Sequence, residues 1–268
     1  MSTVTFSRMG NWGQFGNQLF QIAAVLGYSA HYGCRPRLPR WRCKASGTDY
    51  EAYFPWVKAY YGRCAGALFN ERHFHYEKLP FIYGLDLRGN FQSEKYFLHI
   101  KDRIRELYAE PPAIAAELDT YCAEHNLQAF NSLHMRFYSH AIRDQGPMET
   151  LPDAYFRNAI ALTSSRQPLV VATDDKARFA EFLVDNNIRR DVHLLKFQNP
   201  LLDFYMLSRS RRIAISNSSF SWWAAYLGPT KERIIAPHRY YWFKRTERAN
   251  PFWDTRDLYP DQFDELIF

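Results

Sequence analysis

Three serines and an asparagine, Ser216-Asn-Ser-Ser219, stand between a strand-like run over 212–216 and an apolar helical stripe of Phe220, Trp223, Ala224 and Leu227. Serine and asparagine are good helix caps, and a helix start exposes N–H groups and a partial positive charge. A helix start behind a strand therefore attracts phosphate. An ordinary strand–cap–helix unit uses the same residue types, so the segment gains meaning only from what stands beside it.

Three further places carry reactive side chains. His134-Met-Arg136 closes an apolar run and offers an imidazole and a cation, with Asp144 and Glu149 in the stretch that follows. Ala172-Thr-Asp-Asp175 ends a second apolar run, and Gln198-Asn-Pro-Leu-Leu-Asp203 opens a helical pattern. Each has a plain structural use as well. His134 and Arg136 can serve as a hydrogen-bonding pair, and Asp174, Asp175 and Asp203 can cap helices.

The elements around them decide between those uses. From residue 127 onward the pattern predicts strands over 129–135, 169–172, 192–195, 212–216 and 233–236. Helices are expected over 153–164, 176–187, 201–209 and 220–227. Short strands alternating with helices specify a parallel sheet covered on both faces, and ligands of such sheets sit at the carboxyl ends of the strands. All four chemical segments fall on that edge. We therefore expect an α/β protein with a C-terminal Rossmann-like half at 126–268, whose last elements cross back, and an N-terminal half at 1–125.

The N-terminal half opens with a strand over 3–6 and a glycine loop with Gly10, Gly13 and Gly16. A helix bearing Leu19, Phe20, Ala23 and Leu26 follows. Residues 36–88 are rich in aromatics and turns without clean periodicity. A helix is expected with Phe97, Ile100, Ile104 and Leu107 on one face, ended by Pro111-Pro112, and a second runs to 125.

Composition narrows the partners. The 268 residues carry a net charge of +6 and 17% aromatic side chains. Those values suit a sizeable core, stacking surfaces for sugars or bases, and an anionic ligand. Basic residues are scattered and form no face with interleaved aromatics, which argues against nucleic acid. Cys34, Cys43, Cys64 and Cys122 lack metal-ligand spacing, so no metal site is expected and the thiols read as free in a reducing compartment. The first residues lack a basic region before an apolar core, and no run of about 18 apolar residues occurs. The expectation is a cytoplasmic protein, with peripheral contact at the inner face of a membrane compatible. Nothing specifies an oligomeric state.

Four ordered segments carry a resemblance. They are Gly13-x-x-Gly16-Asn-Gln-Leu-Phe20-Gln, Gly89-x-Phe-Gln-Ser-Glu-Lys-Tyr-Phe97, His134-x-Arg136, and Ser216-Asn-Ser-Ser-Phe-Ser-Trp-Trp223 with Ile235-Ala-Pro237. Together they resemble the α-1,2-fucosyltransferases of glycosyltransferase family 11. The resemblance implies a GT-B-like variant of two Rossmann-like halves with the donor site in the second. It implies inverting, metal-independent transfer of L-fucose from GDP-β-L-fucose to a hydroxyl, the 2-OH, of a terminal hexose such as galactose on a surface glycan. No cofactor is required.

It also implies roles. Arg136 with Asn217, Ser218, Ser219 and Phe220 would hold the GDP leaving group, while His134 with Asp175, and less so Asp174, would read guanine. Acceptor contacts would come from Asn17, Gln18, Gln92, Glu94 and Lys95. Trp222 and Trp223 would pack the helix and shape the sugar pocket. The chain departs from the family's His-x-Arg-Arg-Gly-Asp, reading Phe137-Tyr138-Ser139 after Arg136. Another group must then serve as base. Asp144, which follows His134 at the spacing of the base in α-1,6-fucosyltransferases, comes first, Glu149 second and His140 third. The altered motif leaves two alternatives, a different GDP-sugar donor and a catalytically silent glycan- or nucleotide-binding homologue.

Overall fold

Among the described residues, strands pairing in parallel form two sheets. The computed structural model describes residues 1–62, 66–138, 146–164, 166–229 and 231–268. The chain separates into one unit of Met1–Pro111 with Pro251–Pro260 and another of Pro112–Asn250 with Asp261–Phe268.

In the first unit β1 (Thr3–Thr5) pairs with β2 (Arg35–Arg37) and with β4 (Leu85–Arg88), and β3 (Ala67–Asn70) adds to β4, giving the order β2-β1-β4-β3. Helix α1 (Phe15–Tyr32) crosses from β1 to β2 and buries Leu19, Phe20, Ile22, Val25 and Leu26. It stops at Gly33, whose left-handed φ of 62° returns its N–H to Ser29 O. Phe15, Trp41, Tyr50 and Phe54 stack beside it into an aromatic core. The helix expected from Phe97 begins later, as α2 (Lys101–Leu107). Phe97 (φ −135°) and Ile100 (φ −127°) leave helical geometry and split the preceding stretch into short 3₁₀ turns.

In the second unit α3 (Pro112–Glu124) precedes β5 (Asn131–Met135), α4 (Asp153–Ala161), β6 (Leu169–Thr173), α5 (Lys176–Asp185), β7 (Val192–Leu194) and α6 (Pro200–Arg209). The chain continues through β8 (Arg212–Ala214), α7 (Ser219–Leu227), β9 (Arg233–Pro237) and β10 (Phe263–Leu266). The strand order is β10-β9-β8-β5-β6-β7, with every pair parallel. All five residues of β5 are buried, as a central strand covered on both faces requires.

Alternation along β5 sets which side chain faces which layer. Leu133 and Met135 join Tyr155, Phe156, Phe179 and Phe182 of α4 and α5 in one core. Ser132 and His134 point the other way, to Ser210 at the end of α6 (2.8 Å) and to the Phe220 ring of α7 (5.5 Å). β10 completes the sheet beside β9 and was not expected from the sequence.

Candidate active site

The chain leaves β5 toward β6 and β7 on one side and returns to β8, β9 and β10 on the other. The carboxyl ends of β5 and β8 therefore flank the switch point, where doubly wound sheets hold their ligands. Beyond Leu133↔Ala214 the two strands stop pairing. The Ser216 hydroxyl spans the gap, donating to His134 O (2.8 Å) and accepting from the Arg136 amide (2.9 Å).

Arg136 is held from three directions there. Its Nε lies 3.2 Å from Asp174 Oδ2, its backbone is fixed by Ser216, and its guanidinium stands 5.3 Å from the centre of the Tyr138 ring. Asp174 also accepts from the amides of Phe137 (2.8 Å) and Tyr138 (3.1 Å). Both carboxylate oxygens are thus engaged in shaping the turn after β5. Asp175 caps α5 by accepting from the Arg178 amide at 2.9 Å. The two aspartates expected at guanine both carry structural bonds.

The altered motif has a clear local structure. Phe137 packs against Phe156 and lies under the Arg178 guanidinium, which Asp153 grips with both oxygens at 2.7 Å. Tyr138 adopts a left-handed φ of 59°, a conformation that costs a non-glycine residue roughly 1 kcal/mol or more. Its hydroxyl donates to Asn217 O at 2.7 Å, and burial raises the phenol's pKa so that it keeps its proton.

On the α6–α7 face, His134 lies beside Phe220, and Phe220 meets Phe204 of α6 edge-on at 5.2 Å. Burial, helped by the Arg136 charge, depresses the His134 pKa to about 3, so the ring is neutral. Asp203, in the first turn of α6, is pushed up to about 6 by burial, with Lys176 of α5 opposing. Among the described residues, His134 Nδ1, Asp203 Oδ1 and Asn217 Oδ1 are buried without a hydrogen-bond partner. Buried polar atoms are rarely left so, and a polar ligand would satisfy them. The sequence places Asp203 at the ligand edge, with helix capping as its other use, and gives it no part in reading the base; its burial singles it out.

At the start of α7, Ser218 occupies the N-cap with extended backbone but makes no side-chain cap bond. Asn217 Nδ2 donates to Glu149 O (2.7 Å) and Trp242 O (3.1 Å), which ties the helix start to the 149 and 242 segments. Trp222 stacks on Tyr226 (4.8 Å) and on Phe263 of β10 (5.6 Å), and it and Trp223 are fully buried. The tryptophans thus hold the helix onto the sheet.

Glu149 stands next to this cluster, its Oε2 3.4 Å from Arg248 Nη2. Arg248, unremarked in the sequence, stacks 3.7 Å over the Tyr240 ring. Asp144 and His140 lie outside the described residues. Within the first unit, Asn17 Oδ1 accepts from Gln92 Nε2 at 3.1 Å, which joins two of the sequence segments. Gln18 is buried and bonded to Gly13 O and Trp41 Nε1, and Lys95 pairs with Asp257 at 2.5 Å. Glu94 sits half-buried in the first turn after the Ser93 cap. Among the described residues no three His, Cys, Asp or Glu side chains cluster as metal ligands. No helix among them is long and apolar enough to cross a membrane.

The sequence model of glycosyl transferase family 11 matches residues 55–252. The chain belongs to glycosyl transferase family 11. The chain is similar to an alpha-1,2-colitosyltransferase of Escherichia coli, with 29% identity over 171 residues. That match covers 59% of the family 11 chain and 56% of the relative, so it spans little more than half of the relative's length.

Among solved structures, the fucosyltransferase NodZ from Bradyrhizobium superposes with a TM-score of 0.52 at 17% identity, over 85% of this chain and 94% of that one. NodZ alpha-1,6-fucosyltransferase soaked with GDP-fucose gives the same TM-score at 16% identity, over 85% and 93%. POFUT1 in complex with GDP follows at 0.50 and 12%, over 84% and 94%. At these identities the likeness is one of fold, and the fold is GT-B-like.

Proposed function

We propose that this family 11 chain is an inverting, metal-independent fucosyltransferase. It moves L-fucose from GDP-β-L-fucose to a hydroxyl, the 2-OH, of a terminal hexose such as galactose on a glycan. The observation that carries the reading is Arg136, fixed by Asp174, Ser216 and Tyr138 at the switch point beside an N-cap serine whose hydroxyl is not spent on the helix.

In the displacement the acceptor oxygen bonds to the sugar's anomeric carbon while the bond from that carbon to the β-phosphate oxygen breaks. Negative charge builds on the diphosphate. Arg136 and the α7 start, with Ser218, Ser219 and Phe220, stabilise it, a preorganised arrangement that acts where charge develops. His134 and Asp203, with their orphaned atoms, read the base, Asp203 taking the role expected of Asp175. The acceptor's proton passes to a carboxylate, Asp144 or Glu149. Asn17 and Gln92 form the acceptor side with Gln18, Glu94 and Lys95 near them. Incubation with GDP-fucose and a panel of β-galactosides tests the reading; a folded protein that transfers fucose to none of them overturns it.

The colitosyltransferase match favours a second reading, in which the same site takes GDP-colitose. Phe137 and Tyr138 stand where the family motif carries Arg and Gly. Parallel assays with the two donors separate the readings.

A further inference from the structure

Tyr138 is a non-glycine residue in the left-handed region, at a position where the family motif carries glycine, and its amide, ring and hydroxyl are each engaged. Its amide donates to Asp174 Oδ2 (3.1 Å), its ring supports the Arg136 guanidinium (5.3 Å), and its hydroxyl donates to Asn217 O (2.7 Å). Those partners stand in the loops after β6, β5 and β8. One residue thus links the three loops that flank the switch point. A backbone conformation that L side chains avoid persists only where surroundings over-determine it, and such outliers concentrate at functional sites.

The left-handed turn is what allows the linkage. It directs the side chain back toward Asn217, while Asp174 holds both the turn and Arg136 Nε. With Nε paired to Asp174 (3.2 Å) and the Tyr138 ring beside it (5.3 Å), the guanidinium is held from two sides. Asn217 is the residue before the Ser218 cap, so the phenol also fixes where α7 begins.

The geometry points to Tyr138 as a positioning residue that aims Arg136 and the α7 start at the terminal phosphate of the donor nucleotide. This inference rests on the GDP-sugar reading above. Tyr138 stands where the motif has glycine and Phe137 where it has the second arginine, so the one remaining guanidinium, braced by Tyr138, serves the leaving group.

The test is calorimetric titration of GDP and GMP into the wild type, Tyr138→Phe, Tyr138→Asn and Tyr138→Gly, with thermal melts of each. Glycine and asparagine accept the left-handed turn, so those two variants should fold with melting temperatures close to wild type. Their GDP affinity should fall about tenfold while GMP affinity holds, as expected for loosening one charge-assisted contact to the terminal phosphate. Tyr138→Phe, which loses only the Asn217 bond, should fall roughly threefold for GDP. A wild-type ratio of GDP to GMP affinity in the variants overturns the positioning role and leaves the GDP-sugar reading standing. A wild type that binds neither nucleotide removes that reading instead. Should the glycine and asparagine variants fail to fold, Tyr138→Phe decides alone: an unchanged ratio overturns the role.

Discussion

Asp174 Oδ2 lies 3.2 Å from Arg136 Nε, and the same carboxylate accepts the amides of Phe137 and Tyr138. One acidic side chain therefore sets both the turn after β5 and the direction of the cation at its tip. The two residues should fail differently. Arg136→Ala removes the charge that meets the leaving group, and turnover should drop by about 10²–10³ with the melting temperature little changed. Asp174→Ala strands two amides and a guanidinium, and should cost about 2–3 kcal/mol of stability as well as activity. Steady-state kinetics with melts of both variants check this; an active Arg136→Ala protein would remove the diphosphate role.

Much of this was legible in the chain. The second unit shows itself because β5, β6 and β9 are short, largely buried apolar runs and helices lie between its successive strands from β5 to β9. His134, Arg136 and Ser216–Ser219 follow from the rule that places ligands at strand ends. What escaped depends on tertiary contact. β2 is Arg-Pro-Arg, a three-residue edge strand with no apolar pattern, and β10 is the mixed run Phe-Asp-Glu-Leu at the end of the sequence. The left-handed turn at Tyr138 is invisible because tyrosine is an unexpected residue for it. Asp203 reads like any helix-start acid until burial leaves one of its oxygens unbonded.

That burial gives a pH test. Asp203 titrates near 6, whereas His134, held near 3, stays neutral across the same range. The base's N–H donors need the ionised carboxylate, so GDP affinity should weaken as pH falls through about 6. In Asp203→Asn the profile should be flat and the affinity low. The stability sign runs the other way. A raised carboxyl pKa stabilises the fold below the unfolded value of 3.8 and loses that contribution as pH rises through about 6. The ligand-free Asp203→Asn protein should therefore melt higher than wild type at pH 8. GDP titrations from pH 5 to 8 decide; equal slopes in both proteins would exclude Asp203 from the base site.

Ser218 offers a test of the helix start. Replacing an N-cap serine by alanine ordinarily costs about 0.5–2 kcal/mol because the cap bond is lost. Ser218 makes no such bond. Ser218→Ala should accordingly leave the melting temperature nearly unchanged while lowering kcat/KM by roughly tenfold, the loss expected for one hydrogen bond to a charged group. A clear drop in stability with unaltered kinetics would assign the hydroxyl to the helix instead of the ligand.

The last test concerns the first unit. Glu71 is buried and accepts the amides of Asn90 (2.6 Å) and Phe91 (2.8 Å), holding the Gly89–Phe91 turn ahead of Gln92. Burial is the larger influence and lifts its pKa to about 7, with the two amide bonds opposing. A raised folded pKa makes this group's contribution complete below the unfolded value of 4.5 and lost as pH rises through about 7. Wild-type protein should therefore lose stability between pH 6 and 8, and Glu71→Gln, which has no charge to bury, should lose less over the same range. Glu71→Ala should cost about 2–3 kcal/mol at either pH because both amides lose their acceptor. Since Gln92 bonds Asn17 just beyond this turn, the alanine variant should also raise KM for the acceptor more than it changes nucleotide affinity. Melts at pH 6 and 8, with acceptor kinetics, give the outcome; parallel pH profiles for wild type and Glu71→Gln would show that the carboxyl does not titrate in this window.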